Sequence, residues 1–425
     1  MLKAMKVLVV GKGGREHAII TALSESPTET EIYSFPGSDA IFRIAKPTTA
    51  TDLPSLIDFL TDNAIDLCVA GEESYLVTGE GLANACARVG IPCWGPPREA
   101  AQLEASKEFA KEFMVRHQIP TGGYAAVNDI DAARAAIGGK YPTVLKFDGL
   151  AAGKGVAVCL DEASAEEFLD EVLTQRKFGE GRLLVEEFLV GPEISIFVSV
   201  VDDQYQILAP ARDYKRIFDG DEGPNTGGMG AVSSLEMFET EGDELRERID
   251  REIVRPTVEG LRKDGLPYRG FLYFGIMLTP DGPRILEYNC RFGDPEAQAV
   301  LPMITGDFAQ YVFEGAKGNL SPELIGFRQG WSICLVSASA GYPATSRSGD
   351  VISGFEAVEN ARVFHAGTRL NAEGQFETAG GRVYVVVAQG DTRKEAVANV
   401  YRESQKVSFD GMQRRTDIGI RNFES

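Results

Sequence analysis

Short apolar runs alternate with helix-like segments over the first part of the chain. The run at 6–10 ends at a glycine-rich turn, and this turn leads into the helix-like segment A-I-I-T-A-L. Three more apolar runs, at 31–35, 66–70 and 92–94, are separated by stretches with helical spacing. This alternation predicts a doubly wound parallel sheet with helices packed on it. A long amphipathic segment at 98–117 follows the last run.

The middle of the chain has two strand-like runs on either side of a glycine loop. The runs are 143–147 and 156–160, and the loop at 149–155 reads G-L-A-A-G-K-G. Two strands that flank a glycine loop predict a mobile flap. The other predicted elements are a helix at 163–173, strands at 183–189, 193–201 and 204–210, a polar loop at 212–230, a helix at 243–262, a hairpin with strands at 271–278 and 284–290, strands at 331–337 and 382–388, and a final helix at 393–406.

Length and charge restrict the class of protein. A chain of 425 residues is too long for one ordinary core, so several domains are expected. A formal net charge of -20 without a run of Lys or Arg argues against a nucleic-acid partner. No apolar run is long enough for a membrane-spanning helix, and the first residues lack the apolar region of a signal peptide. We therefore expect a cytoplasmic protein.

The cysteines agree with that location. They form no C-x-x-C pair and lie mostly in apolar runs, which indicates buried, reduced thiols. The six positions are Cys68, Cys86, Cys93, Cys159, Cys290 and Cys334.

Polar side chains follow a predicted strand in the block L-E-Y-N-C-R-F-G-D-P-E at 286–296. Side chains two residues apart share one face of a strand, so Glu287, Asn289 and Arg291 project together. Magnesium is bound by carboxylate and amide oxygens, and an arginine can bind a phosphoryl or carboxylate oxygen. Together with Asp294, the block predicts a magnesium site for phosphoryl chemistry. The alternative is a polar strand end that only meets solvent.

A second candidate site is the turn G-K-G-G-R at 11–15. Backbone N–H groups at a helix N-terminus bind anions, and Lys12 and Arg15 add positive charge. A dinucleotide fingerprint would need glycine at position 16, where the chain has Glu16, and the next strand lacks the acid that binds a ribose. The turn therefore favours a bound monophosphate over NAD, and a tight turn without a ligand is the alternative.

The glycine loop at 149–155 is the third candidate. Its amides and Lys154 can cover a polyphosphate, with Lys146 in the preceding strand as a second cation. The loop is not a Walker motif, because no Ser or Thr follows Lys154, and a glycine-rich hairpin without a ligand is the alternative. Glu186 and Glu187 are strand neighbours that face opposite ways. One of them could bind an adenine amino group or a ribose hydroxyl, and the sequence does not say which.

Five motifs carry a resemblance that runs the length of the chain. They are G-G-R-E-H-A at 13–18, D-G-L-A-A-G-K-G-V at 148–156, G-P-N-T-G-G-M-G at 223–230, N-C-R-F-G-D-P-E at 289–296 and F-H-A-G-T at 364–368. With them the chain resembles the ATP-grasp superfamily and, within it, the phosphoribosylamine-glycine ligase family. Together with the predicted elements, the resemblance implies an α/β multidomain fold. Its parts are an N-terminal doubly wound parallel sheet at 1–102, an ATP-grasp α+β core with a glycine-loop lid subdomain at 103–190, the catalytic part of that core at 191–322, and a small C-terminal α+β domain at 323–425.

The resemblance also implies roles for individual residues. The implied ATP-binding residues are Lys107, Lys146, Gly153, Lys154, Gly155, Glu186, Glu187, Leu189 and Glu193, and the implied ligands of Mg²⁺ or Mn²⁺ are Glu287 and Asn289. The implied substrate-binding residues are Gly13, Gly14, Arg15, Glu16, Pro36, Gly37, Glu73, Arg216, Asn225, Thr226, Gly227 and Gly228. The implied catalytic residues are Asp213, Lys215, Arg291 and Asp294.

The implied reaction is the ATP-dependent ligation of glycine to 5-phosphoribosylamine in purine synthesis. In such ligases the glycine carboxylate attacks the γ-phosphate to give glycyl phosphate, and the sugar amine then displaces phosphate to form glycinamide ribonucleotide. The implied partners are these small molecules, with no nucleic acid and no membrane, and the expected state is a monomer or weak homodimer. Two alternatives remain open: a diverged ATP-grasp ligase for another small acid and amine, and a non-catalytic nucleotide-binding protein.

The chain departs from the family's usual pattern at several positions. The usual G-P-E-x-P-L is replaced by G-E-E-S-Y-L at 71–76, which places Glu72 and Tyr75 at the changed positions, and Ser38, Phe147 and Tyr214 stand where asparagine, alanine and histidine are usual. The metal block keeps the family pattern. Since three of the departures lie near the expected amine site, they bear first on recognition of the amine.

Overall fold

The computed structural model describes residues 3–149, 151, 155–240 and 243–420. Its first sheet is built from parallel strands in the spatial order Lys46–Pro47, Thr30–Pro36, Met5–Gly11, Leu67–Ala70 and Cys93–Trp94. The helices between them are Gly14–Ser24, Leu53–Asp62, Ser74–Val77 and Leu82–Arg88. The predicted N-terminal parallel sheet is confirmed. The strand Lys46–Pro47 was not predicted, because two exposed residues give no periodicity.

The amphipathic segment at 98–117 is not one continuous helix. It forms the helices Gln102–Ala105 and Lys107–Arg116, with Ser106 between them in an extended conformation (φ -128°, ψ 116°). The Ser106 hydroxyl accepts a hydrogen bond from the Phe109 N–H at 3.1 Å, so Ser106 caps the second helix.

A four-stranded antiparallel sheet forms the lid subdomain. Its strands lie in the order Tyr124–Val127, Leu183–Glu187, Thr143–Phe147 and Val156–Cys159. Its helices are Ile130–Ile137 and Glu162–Leu169, and the second continues as a π-helical turn at Asp170–Thr174. The predicted strand pair around the glycine loop is confirmed, with Thr143 opposite Cys159 and Lys146 opposite Val156.

The largest sheet is antiparallel and joins the middle of the chain to its end. Its strands lie in the order Gly282–Asn289, Arg269–Thr279, Glu193–Val201, Ala211–Asp213, Gly230–Ser233, Trp331–Ala338, Arg382–Gly390 and Arg362–His365, and Gln204–Ile207 also pairs with Glu193–Val201. The predicted hairpin is confirmed. Because Gly230–Ser233 pairs with Trp331–Ala338, the segment after residue 322 shares a sheet with the part before it. The domain boundaries stay a prediction.

Shorter elements complete the chain. The polar loop at 212–230 is not wholly irregular, since it holds the hairpin Arg216–Phe218 and Glu222–Asn225. The predicted helix at 243–262 is present as Asp243–Ile249, a π-helical segment Asp250–Val254, and Arg255–Lys263. The other helices are Glu236–Thr240, Glu296–Val300, Phe308–Ala316 and Arg393–Ser404, with 3-10 turns at Ile41–Arg43, Leu301–Met303, Pro322–Leu324 and Phe355–Ala357. Two small sheets pair Ile304–Gly306 with Ile325–Phe327 and Thr368–Leu370 with Phe376–Thr378.

Two large apolar cores pack against the sheets, and a separate one fills the lid subdomain. All six cysteines are free thiols, as expected, and Cys93 is the one that is partly exposed. In the described ranges, each helix is too short or too polar to cross a membrane.

Candidate active site

A bulge in the large hairpin places the metal block beside the lid. Gly275 pairs with Glu287 and the next pair is Ile276 with Ile285, so Leu286 has no partner in the ladder. The Leu286 carbonyl instead accepts a hydrogen bond from Lys146 Nζ at 3.0 Å. This contact fixes a lid cation next to the strand that carries Glu287.

Glu287 is an ionised carboxylate at the centre of a group of cations. Burial alone would raise its pKa, but nearby cations lower it. These cations are Lys215, Lys146, Lys107 and Arg291. Among the described residues, no side chain forms a hydrogen bond or ion pair with the Glu287 carboxylate or with the side-chain amide of Asn289. A charged oxygen and a neutral oxygen with free ligand positions fit a hard divalent cation.

Two arginines from distant parts of the chain share one carboxylate. Glu73 Oε2 lies 3.3 Å from Arg15 Nη2 and 3.2 Å from Arg291 Nε. Burial would raise the pKa of Glu73, but Arg291 and Arg15 together lower it to about 2. Both guanidinium groups also donate to the Phe292 carbonyl, at 3.3 and 3.1 Å. The predicted phosphate turn and the metal block therefore lie together.

Glu104 is the second partner of Arg291. Its Oε1 lies 2.6 Å from Arg291 Nη2, and its Oε2 accepts the Cys290 N–H at 2.7 Å. Burial raises the pKa of Glu104 to about 7, although Arg291 opposes this shift. Arg291 is thus held in place by carboxylates on both sides.

The turn before the first helix is ordered by Glu16. The Gly13 N–H donates to Glu16 Oε2 at 2.7 Å, and Arg15 Nε lies 2.6 Å from Glu16 Oε1. A Cβ at Gly71 would lie 2.5 Å from Glu16 Cγ, so the neighbouring loop approaches this side chain closely. Gly37, after Pro36, has φ +69° and donates its N–H to the Gly11 carbonyl at 3.3 Å. The loops predicted to bind substrate are therefore adjacent.

Asp294 is held from both sides. Gln298 Nε2 donates to Asp294 Oδ1 at 2.7 Å, and Arg382 Nη2 lies 3.1 Å from Asp294 Oδ2. A Cβ at Gly14 would lie 2.6 Å from Gln298 Nε2, so a glycine here lets the first helix approach the Gln298 side chain closely. Asp294 therefore lies beside the phosphate turn.

Arg382 joins the glycine loop at 226–230 to the metal block. Its Nη1 donates to the carbonyls of Gly227 and Asp294. Gly228 has φ +111°, and a Cβ there would lie 2.4 Å from Pro295 Cδ, so this position needs glycine. The Thr226 N–H donates to the Lys215 carbonyl at 2.7 Å, which ties the loop to the next group of charges.

Lys215 is paired with an acid predicted to bind ATP. Lys215 Nζ lies 2.7 Å from Glu193 Oε2. Burial raises the pKa of Asp213 to about 6, and the charge of Lys215 opposes the shift. Arg216 lies opposite Asn225 in the short hairpin and donates to the Gly223 carbonyl at 2.6 Å, so its guanidinium group contacts this hairpin.

The remaining ATP-binding candidates lie around the lid sheet. Lys107 Nζ donates to the Gly149 carbonyl at 2.9 Å, and Asp148 Oδ1 accepts the Lys107 N–H at 2.6 Å. Leu189 is buried, and Gly155 is the last residue of the glycine loop. The predicted residues Gly153 and Lys154 lie outside the described residues.

The two adjacent glutamates have different surroundings. Glu186 is buried, with Oε2 at 2.8 Å from Lys111 Nζ and 3.1 Å from Lys146 Nζ. Glu187 is exposed, and its Oε2 accepts the Gly123 N–H at 3.0 Å. Of the pair, Glu187 is therefore the one that a ligand can reach without displacing a buried ion pair.

The motif at 364–368 packs on the first helix. The His365 N–H donates to His17 Nδ1 at 3.0 Å, and the two rings stack at 5.8 Å. Burial lowers the pKa of His17 to about 4, so this ring is neutral near pH 7.

Three residues of the site were not predicted from the sequence: Glu104, Lys111 and Arg382. Lys107 and Lys111 are four residues apart and so lie on one face of a helix, which was a usable signal. Glu104 and Arg382 gave no such signal, because their partners are distant in the chain.

Two of the departures from the family pattern pack away from the cations around Glu287. The Tyr214 hydroxyl accepts the Gly419 N–H at 3.1 Å, and its ring lies under the Arg415 guanidinium at 5.1 Å. Phe147 is buried in the lid subdomain, where a Cβ at Gly149 would lie 2.7 Å from its ring.

Comparisons with known proteins agree with this geometry. Models of the N domain, the ATP-grasp (A) domain and the C domain of phosphoribosylglycinamide synthetase match residues 5–104, 105–297 and 332–421. The phosphoribosylamine-glycine ligase of Caldanaerobacter subterraneus is 41% identical over 419 residues, which cover 97% of this chain and 99% of that protein. That of Caulobacter vibrioides is 41% identical over 431 residues, which cover all of both chains.

Solved structures show the same fold. The phosphoribosylamine-glycine ligase of Thermotoga maritima has a TM-score of 0.83 and 33% identity, covering 97% of this chain and 100% of that one. A biotin carboxylase from Campylobacter jejuni has a TM-score of 0.73 at 17% identity, covering 100% of this chain and 96% of that one, which shows a shared fold alone. Because all three domain models match and the relatives align over nearly their full length, the chain belongs to the phosphoribosylglycinamide synthetase family of ATP-grasp ligases.

Proposed function

We propose that the protein ligates glycine to 5-phosphoribosylamine at the expense of ATP, giving glycinamide ribonucleotide, ADP and phosphate. One observation carries this proposal: Glu73 bridges Arg15 of the phosphate turn and Arg291 of the metal block. A sugar phosphate at the turn and an acid at Arg291 would therefore meet in one cleft. Lys107 and Lys146, whose charges also act on Glu287, would hold a polyphosphate at the same cleft.

Glu287 and Asn289 would hold Mg²⁺ or Mn²⁺, because they offer an ionised oxygen and an amide oxygen with free ligand positions. The ion would supply positive charge that stabilises a transferring phosphoryl group. Lys215 and Arg291 lower the pKa of Glu287, so the carboxylate that would bind the metal is negatively charged near neutral pH.

The chain's own residues would orient the other reactants. Arg291 is fixed by Glu73 and Glu104 and can bind the glycine carboxylate with two hydrogen bonds. Arg15 and the N–H groups at the start of the helix Gly14–Ser24 can hold the phosphate of the sugar amine. The loop at 149–155 would close over ATP and exclude water.

Proton removal from the amine would fall to Asp213. Its pKa of about 6 makes it a carboxylate at neutral pH and yet close enough to that pH to accept a proton. The positive charge of Lys215 favours the ionised form of Asp213 and lies in the same part of the site.

Glu287→Gln tests the metal assignment. We expect turnover to fall by at least about 100-fold, because glutamine keeps the shape and removes the charged ligand. Asp281→Asn is the matched control: it makes the same change at an exposed position in the turn of the same hairpin and should keep wild-type turnover. Near-normal activity of Glu287→Gln, with an unchanged melting temperature, would refute the assignment.

We further propose a cytoplasmic protein that acts as a monomer or weak homodimer and has no nucleic-acid partner. The net charge of -20 supports the last point, because phosphates would be repelled except at the local cationic cleft. Light scattering after size exclusion would measure the oligomeric state.

A further inference from the structure

Two cysteines of the N-terminal sheet and one of an adjacent helix form a cluster that has no role in the proposed reaction. Their Sγ atoms all lie within 4.8 Å of one another. The cluster consists of Cys68, Cys86 and Cys93, and it includes none of the residues that form the cleft.

The backbone brings these sulfurs together. Cys68 and Cys93 are opposite each other on neighbouring parallel strands, so their side chains point to the same side of the sheet. Cys86 comes from the helix Leu82–Arg88, which packs against the strand Cys93–Trp94. The Ile91 N–H donates to the Cys86 carbonyl at 3.0 Å, which fixes the short connection from the helix to Cys93. The three positions are therefore set by secondary structure.

The cluster offers sulfur ligands and nothing else. The three thiols are not joined by disulfides, and within the described ranges no His, Asp or Glu completes the group. Cys68 and Cys86 are fully buried among apolar side chains such as Leu82 and Ala85, and Cys93 is partly exposed.

Sulfur ligands select soft cations, of which Cu⁺ and Zn²⁺ are common in proteins. Structural Zn²⁺ sites are almost always four-coordinate. A group of three sulfurs without a fourth ligand therefore fits Cu⁺ better than Zn²⁺.

We propose that the cluster of Cys68, Cys86 and Cys93 is a binding site for a soft, thiophilic cation, and that Cu⁺ is the ion it prefers. Each sulfur that binds the ion as a thiolate releases its proton to solvent, and no oxidation takes place. Because an ion bound to all three sulfurs would connect two strands and a helix, it should stabilise the N-terminal sheet.

The test uses the full-length, reduced protein under anaerobic conditions. Cu⁺ is supplied as a complex with a coloured chelator, and its transfer to the protein is followed by loss of that colour and by sulfur-to-copper absorption. We expect uptake of a single Cu⁺ per chain and a higher melting temperature. A parallel titration with Zn²⁺ and a zinc-specific chelator should show weaker binding. No Cu⁺ uptake, or tighter binding of Zn²⁺ than of Cu⁺ under matched competition, would overturn the proposal.

Variants locate the ion. Cys93→Ser, at the partly exposed position, should weaken Cu⁺ binding by at least about 100-fold while ATP-dependent ligation is unchanged. Cys159→Ser is the control, since this cysteine lies in the lid subdomain, outside the cluster, and should leave Cu⁺ binding intact. Equal Cu⁺ affinity of Cys93→Ser and the wild type would overturn the site. Circular dichroism of the metal-free variants checks that each one is folded.

Discussion

Replacing Glu186 by glutamine tests the buried charge cluster beneath the proposed nucleotide site. Glu186 Oε2 lies 2.8 Å from Lys111 Nζ and 3.1 Å from Lys146 Nζ, and the three side chains are 5%, 2% and 9% exposed. Glutamine keeps the shape of the side chain but removes the negative charge that both ammonium groups face. Two buried cations would then lack their carboxylate.

The contacts that survive set the size of the effect. Breaking a buried ion pair by removing one partner costs about 3–5 kcal/mol. Lys111 keeps hydrogen bonds to Thr121 Oγ1 at 2.8 Å and to the Gly122 carbonyl at 3.3 Å, and Lys146 keeps the Leu286 carbonyl at 3.0 Å. We therefore expect the lower end of that range, about 3 kcal/mol, which corresponds to a fall in melting temperature of about 6–12 °C.

Differential scanning calorimetry measures this fall, and the neighbouring residue is its control. Glu187→Gln changes a carboxylate that is 52% exposed, so its melting temperature should stay within about 2 °C of the wild type. Glu187→Gln should instead weaken ATP binding. If Glu186→Gln melts within about 2 °C of the wild type, Glu186 does not balance the two buried lysines.

Three further predictions concern the catalytic side of the cleft. Arg382→Ala should lower kcat/KM by at least about 10-fold, because Asp294 and the glycine loop lose their contact with this side chain. Arg382→Lys should recover part of the loss, and wild-type kinetics of Arg382→Ala would contradict the prediction. Burial raises the pKa of Asp213 to about 6, above its ordinary value of 3.8. Above about pH 6 the ionised carboxylate therefore lowers the free energy of unfolding, and below about pH 4 this loss of stability disappears because the group is protonated in both states. Asp213→Asn should therefore raise the melting temperature near pH 7.5, leave it unchanged near pH 4 and reduce turnover. If the difference in melting temperature between variant and wild type does not depend on pH, the raised pKa of Asp213 is refuted. Gly228→Ala should lower kcat with native secondary structure retained, because its Cβ would lie 2.4 Å from Pro295 Cδ; wild-type kcat would show that the loop adapts.

Period-two spacing was enough to predict that the polar residues proposed to bind the metal share one strand. Glu287 and Asn289 were predicted to share a strand face, and both lie in the strand Gly282–Asn289 with their side-chain oxygens free of hydrogen bonds to other described residues. The parallel sheet and the strand pair around the glycine loop could be predicted for the same reason, because each depends on local alternation of apolar residues.

Contacts between distant segments could not be predicted in that way. The choice between Glu186 and Glu187 depends on Lys111, which approaches their strand from the helix Lys107–Arg116. Arg382 reaches Asp294 only because its strand joins the large sheet. Ser106 interrupts the amphipathic segment because its hydroxyl caps the second helix, an effect that apolar spacing does not report.

The reaction itself is tested most directly by phosphate release from ATP in a matrix of substrates. The purified protein with Mg²⁺ should release phosphate continuously only when glycine and freshly made 5-phosphoribosylamine are both present, and glycinamide ribonucleotide should form in equal amount. Continuous release without the amine, or release that another amine supports and 5-phosphoribosylamine does not, would contradict the proposed function.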